Sequence, residues 1–124
     1  MIETTVDVKR SIAIHKCSGN LTNKDMSDAI NAFYVGSTNK YTLWDFSNAS
    51  MNNIPIESVK QLIILEQKRA SSIVGGRTAV VAPKDLEYGY ARMLQIQSDT
   101  NDLLFKVGVF KTLEEANQWL LQEE

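Results

Sequence analysis

Gly75-Gly76-Arg77-Thr78-Ala79-Val80-Val81-Ala82-Pro83-Lys84-Asp85-Leu86-Glu87-Tyr88-Gly89-Tyr90-Ala91-Arg92-Met93 decides the fold. Two glycines end one element, and Arg77 to Ala82 is short, β-branched and apolar enough to be a strand. Pro83 then suits a helix start, where a missing N–H costs nothing. Asp85 and Glu87 sit near the positive end of that helix. Its predicted core face is Leu86, Tyr90, Met93 and Leu94, which leaves Asp85, Tyr88 and Arg92 along one outer side. Gly89 inside the helix costs roughly 1 kcal/mol relative to alanine, which predicts close packing there.

Outward from this strand-to-helix unit the same grammar repeats. Val6 and Val8, then Ile12 and Ile14, alternate with polar residues as half-buried strands do, and Asp7 to Ser11 is a hairpin turn, so the first two strands pair antiparallel. Ser18-Gly19-Asn20 ends the second strand. Thr22 and Asp25 form a capping box ahead of Met26, Ala29, Ile30, Phe33 and Tyr34 at helical spacing, with Gly36 to Asn39 as the stop. Tyr41 to Phe46 is apolar on both faces, the mark of an inner strand. Asn48 to Asn53 reads as a polar loop, and Pro55 opens a helix with Ile56, Val59, Leu62, Ile63 and Leu65 as its apolar face, through to about Ser71. Leu103, Phe105, Val107 and Val109 alternate as a fifth strand. Thr112 and Glu115 form a second capping box, before Leu113, Ala116, Trp119 and Leu120 as the last buried stripe. The predicted order is β-β-α-β-α-β-α-β-α: an α/β fold with four helices and a mostly parallel five-stranded sheet whose first strand is antiparallel, all in one domain, 1–124.

Composition narrows the function classes. The 124 residues are 44% apolar, enough for a core. A formal net charge of −2 argues against a general affinity for nucleic acid or anionic lipid. No run approaches the roughly 18 apolar residues of a membrane span, and the first residues lack the pattern of a signal peptide. One cysteine, Cys17, fits a reducing cytoplasm. Cys17 and the lone His15 share one strand face, where neighbouring side chains run parallel rather than toward each other, so a Cys-His nucleophile pair is not expected. No catalytic constellation, cofactor-binding motif or metal-ligand spacing emerges. Asp45 closes an apolar strand, in the zone beyond carboxyl ends where open α/β sheets hold ligands, or serves as a turn residue.

Several stretches resemble the SpoIIAA-like family of small bacterial proteins, related to STAS domains and more distantly to CRAL/TRIO lipid-exchange domains. They are Leu43-Trp44-Asp45, Gly76 through Asp85, Tyr88 through Met93, and Val107 through Ala116 into Trp119-Leu120. The resemblance implies a SpoIIAA/STAS-like fold. Its best understood relatives are anti-sigma-factor antagonists that switch partners by phosphorylation of a serine in an Asp-Ser-(Ser/Thr)-Gly motif. The corresponding stretch, Met51-Asn52-Asn53-Ile54-Pro55-Ile56-Glu57-Ser58, lacks that motif, and neither Ser50 nor Ser58 matches it.

The first functional expectation is a non-enzymatic cytoplasmic module that binds a protein partner or itself, with a homodimer favoured if the third and fifth strands keep uncovered apolar surface. The alternative is a small-molecule binder of lipid-like or anionic ligands at the carboxyl edge of the sheet, with Asp45, Asp85, Tyr88 and Arg92 lining it and Trp44 and Tyr90 as walls. An enzyme built on Asp45, His15 or Tyr88 ranks third.

Overall fold

A computed structural model describes residues 1–36, 40–70, 75–100 and 105–122, with side chains 33–36 and 70 excluded. The expected stop at 37–39, the helix end at 71, Leu103 and the side chains of Phe33 and Tyr34 lie outside the described residues. The elements are β1 (Ile2–Asp7), β2 (Ile12–Asn20), α1 (Asn23–Gly36), β3 (Tyr41–Ser50), α2 (Ile56–Ala70), β4 (Arg77–Val81), α3 (Asp85–Thr100), β5 (Lys106–Phe110) and α4 (Leu113–Leu120). They form one sheet in the order β1-β2-β3-β4-β5, with β1 antiparallel to β2 and the remaining pairs parallel. The element order and strand directions are those the sequence predicts.

The strand order places the helices. From β2 to β5 every crossover steps the same way across the sheet, so right-handed connections lay α1, α2 and α3 on one face. Their core includes Cys17, Met26, Ile30, Trp44, Phe46, Val59, Leu62, Val80 and Leu94. The chain then turns over β5, and α4 packs on the opposite face against β3, β4 and β5. There Ala116 and Leu120 meet Ile12, Leu43, Ala79 and Val81. Successive residues of an inner strand thus serve different helices, which explains why β4 is buried at every position.

Local chemistry explains the ends. Asp25 N–H donates to Thr22 Oγ1 at 3.1 Å and Thr22 N–H to Asp25 Oδ2 at 3.0 Å, so the first capping box is reciprocal. Glu115 N–H donates to Thr112 Oγ1 at 3.2 Å at the start of α4. The 8% exposed Arg77 donates to the carbonyls of Trp119 (3.0 Å) and Gln122 (2.7 Å), satisfying acceptors in the last turn of α4 and just past its end.

Several expectations are corrected. The supposed polar loop Asn48–Asn53 begins as strand: β3 continues to Ser50, paired with Ser18–Asn20 beyond an irregularity at Lys16/Ser18, and Ala49, Met51 and Ile54 are buried. Val6 and Val8 are exposed, because β1 is an edge strand and α1 reaches only part of it. The most buried stripe of α3 is Glu87, Ala91, Leu94 and Ser98; of the predicted face Leu94 is buried and Tyr90 and Met93 pack half-buried against the core, but Leu86 is exposed. A Cβ on Gly89 would meet nothing within 4 Å, so close packing does not explain that glycine. Close packing occurs instead at Gly108, where a Cβ would stand 2.8 Å from the Phe110 ring and 3.1 Å from Trp119. Ile56 and Leu113 are exposed at the starts of α2 and α4, and Ile64 and Ile96 on the outer sides of α2 and α3, while β3 keeps its apolar side chains covered, so the leftover apolar surface lies on the helices and β1 rather than on β3.

Candidate functional site

Parallel strands β3, β4 and β5 all end on the same side of the sheet, and α2, α3 and α4 start there. That carboxyl end is where α/β sheets gather functional groups. Its centre is the corner between β3 and α2. Met51 N–H donates to the buried Glu87 Oε2 at 2.9 Å, and Lys84 Nζ donates to the Ala49 carbonyl at 2.6 Å. Two charged side chains from the start of α3 therefore hold a corner some 35 residues earlier in the chain. A charge-assisted bond is roughly twice as strong as a neutral one, so this corner is fixed rather than left to loop packing. Pro55 then gives its carbonyl to Val59 N–H at 3.0 Å, opening α2.

Around the corner, apolar side chains face solvent. Ile56 is 43% exposed, Leu86 38% and Leu113 46%, one at the start of each of the three helices. Acidic residues accompany them in the same first turns: Glu57 in α2, Asp85 in α3, Glu114 and Glu115 in α4. These side chains share the end of the sheet where the helices begin, together with Lys84, with Lys60 beside Glu57 and with Lys111 over Tyr88.

The five residues singled out from sequence lie in this region without forming one cluster. Trp44 is buried in the three-helix core, stacked on His15 with ring centroids 4.0 Å apart and on Phe46 at 6.2 Å. Asp45, the next residue along the strand, points to the other face. It accepts the Ser47 N–H at 3.0 Å, the local backbone bond expected of it, but within β3 next to the irregularity rather than in a turn, because the strand it was expected to close runs on to Ser50. Asp85 is exposed. Tyr88, expected along an outer side of the helix, instead packs half-buried against the three-helix core, with Lys111 Nζ 5.1 Å from its ring centroid. Arg92 is exposed and donates to Gln95. Sequence reasoning missed Lys84 and Glu87 as corner clamps. The signal for Glu87 was its spacing, since 87, 91, 94 and 98 form one helical stripe.

Behind the corner lies a cavity of about 70 Å³, lined by residues that include Trp44, Phe46, Met51, Leu62, Glu66, Glu87 and Tyr90. That is about half the roughly 150 Å³ known to admit benzene into an apolar core.

His15 and Cys17 are structural. His15 is fully buried, its Nδ1 2.8 Å from Thr4 Oγ1, and burial pushes its pKa down to about 4. Cys17 Sγ donates to the His15 carbonyl, 3.7 Å away, rather than to the ring. Burial, reinforced by the Asp45 carboxylate, pushes its thiol up to about 12, so it holds its proton and is a poor nucleophile. Among the described residues no group of three or more His, Cys, Asp or Glu is arranged to hold a metal ion, and no helix is long and apolar enough to cross a membrane.

No family model and no curated protein matches the sequence. Among solved structures, the chain is similar to the anti-sigma factor antagonist SpoIIAA in its unphosphorylated form, with a TM-score of 0.58 at 15% sequence identity over 93% of this chain and 92% of that one. With the strand order and helix placement described above, that similarity gives this protein the SpoIIAA/STAS-like fold.

Proposed function

We propose that the protein is a non-enzymatic cytoplasmic regulatory module that docks a protein partner, or a second copy of itself, through the carboxyl end of its sheet. The observation that carries this reading is the exposure of Ile56, Leu86 and Leu113 at the starts of α2, α3 and α4, around the corner clamped by Lys84 and Glu87. Exposed leucines at a rigid corner suit an interface core, and the acidic residues beside them suit a basic rim on the partner. The likeness in fold to an anti-sigma factor antagonist supports the regulatory part. Without an Asp-Ser-(Ser/Thr)-Gly sequence at the corner, control by that phosphorylation is not part of the proposal. The test is site-specific photo-crosslinking in native cytoplasm from positions 86 and 113, with position 96 on the exposed outside of α3 as control. One protein, or the chain itself, should be captured from 86 and 113 and not from 96. Equal capture from all three positions, or none, would refute the docking surface.

A second reading is a small apolar ligand in the cavity, favoured by Trp44 and Tyr90 lining it together. Its size restricts the ligand to something below benzene unless α2 or α3 moves, and Glu66 and Glu87 in its wall disfavour an anion. A ligand bound only by the folded state raises the melting temperature. A melting screen of short alcohols, short-chain amines and carboxylates that gives no shift would eliminate it.

A further inference from the structure

The two edges of the sheet are treated differently. On β5, Gln95 Nε2 from α3 donates to the Val107 carbonyl at 3.1 Å, closing part of that edge. On β1, the direction of each backbone group follows from the ladder. The Met1 ammonium donates to the Ser18 carbonyl at 2.8 Å, and Ser18 N–H returns a bond to the Met1 carbonyl at 2.9 Å. Met1 and Ser18 are therefore a hydrogen-bonded pair, and such pairs alternate along an antiparallel ladder. With the register Ile2↔Cys17 through Asp7↔Ile12, Glu3, Thr5 and Asp7 bond inward to β2. Ile2, Thr4 and Val6 turn their N–H and C=O groups outward, and no hydrogen bond from another described residue reaches those groups. An open row of this kind is a template for another strand.

Beside that row runs a groove of about 480 Å³ between β1 and α1. Ile2 and Thr4 line it from the strand, and Ala29 and Ala32 from the helix, with Asp25 and Asp28 on its wall. Two alanines leave room where larger side chains would fill the space. Asp28 is paired with Lys24 at 2.6 Å, but both side chains are mostly in solvent, at 63% and 82% exposed, so the pair exchanges at little cost. Asp25 is kept ionised by the Thr22 N–H and hydroxyl, which hold its carboxyl below the usual range.

We propose that this edge binds an extended basic segment of a partner protein as a sixth strand. Its backbone pairs with Ile2, Thr4 and Val6, alternate side chains enter the groove over Ala29 and Ala32, and a lysine or arginine meets Asp25 and Asp28. Strand addition beside a helix draws affinity from main-chain bonds and specificity from the groove. A second copy of this chain is the poorer occupant, because its β1, Ile-Glu-Thr-Thr-Val-Asp, brings two acids and no base to an acidic wall.

The experiment uses the isotope-labelled full chain and three short synthetic peptides: valine alternating with lysine, valine alternating with glutamate, and the lysine peptide with a central proline. The lysine peptide should slow hydrogen exchange of the Ile2, Thr4 and Val6 amides and bind at least about tenfold more tightly than the other two. Val6→Pro removes one outward donor without touching the β2 ladder, and Ala32→Arg fills the groove at an exposed position. Each should weaken binding about tenfold, whereas Leu86→Asp should leave it unchanged, which separates this site from the carboxyl-end surface. No protection of those amides by the lysine peptide, equal binding of the glutamate peptide, or protection that arises without peptide and tracks dimer formation would overturn the proposal.

Discussion

The two faces of the sheet are buried by different means. On one, three helices share a broad apolar core running from Cys17 and Trp44 to Leu94 and Phe105, and many side chains contribute a little each. On the other, the eight residues of α4 cover Ile12, Leu43, Ala79 and Val81 with Ala116 and Leu120 and the half-buried Trp119. That thin cover relies on specific fixtures: the Thr112 cap, Arg77 holding the Trp119 and Gln122 carbonyls, and Gly108 admitting the Phe110 and Trp119 rings. A broad core tolerates local loss by relaxing around it, whereas a thin one has few neighbours to relax. The face with less apolar burial should thus be the more sensitive to a single change.

The largest test is paired truncation. Leu120→Ala, in the thin face, should cost about 4 kcal/mol, and Leu62→Ala, in the broad face, about 2–3 kcal/mol, both read from urea unfolding midpoints. Equal losses, or the reverse order, would break the comparison.

Next in size is a pH effect confined to the three-helix face. His15 has its pKa lowered from 6.5 to about 4, so between those values the unfolded chain binds more protons than the folded one. Its contribution is complete above about pH 6.5 and is lost as pH falls toward about 4, a total near 3 kcal/mol. Stability measured across that window should fall, and His15→Gln should flatten the fall. An unchanged profile in the variant would place the sensitivity elsewhere.

The smallest pair concerns two glycines. Gly108→Ala drives a Cβ into the Phe110 and Trp119 rings and should cost about 1–2 kcal/mol. Gly89→Ala meets open space on a helix and should stabilise by about 0.5–1 kcal/mol. A shift of the same sign in both melting temperatures would contradict the packing described for β5 and α4.

The candidate site was partly legible. Asp45 as an acceptor of a nearby N–H, the reciprocal Thr22–Asp25 box and the Thr112 cap could be read because each is a local bond between residues two or three apart. The buried role of Glu87 could not, because its partner is the backbone of Met51, 36 positions away. An acid in the first turn of a helix already has a sufficient local explanation, which hid the tertiary one. Trp44 and Asp45 looked like neighbours in one site, yet the pleat sends them to opposite faces.

The sequence by itself determined the element order, the antiparallel start and the inner character of β3 and β4, since hydrophobic period, glycine stops and caps are properties of short segments. Only the tertiary structure decided which face each helix covers, which side of α3 is most deeply buried, that β3 runs on to Ser50, and that β1 keeps an open row of backbone groups beside a groove. Those outcomes depend on strand order and on contacts between residues far apart in the chain. A local pattern of apolar and polar residues carries no record of them.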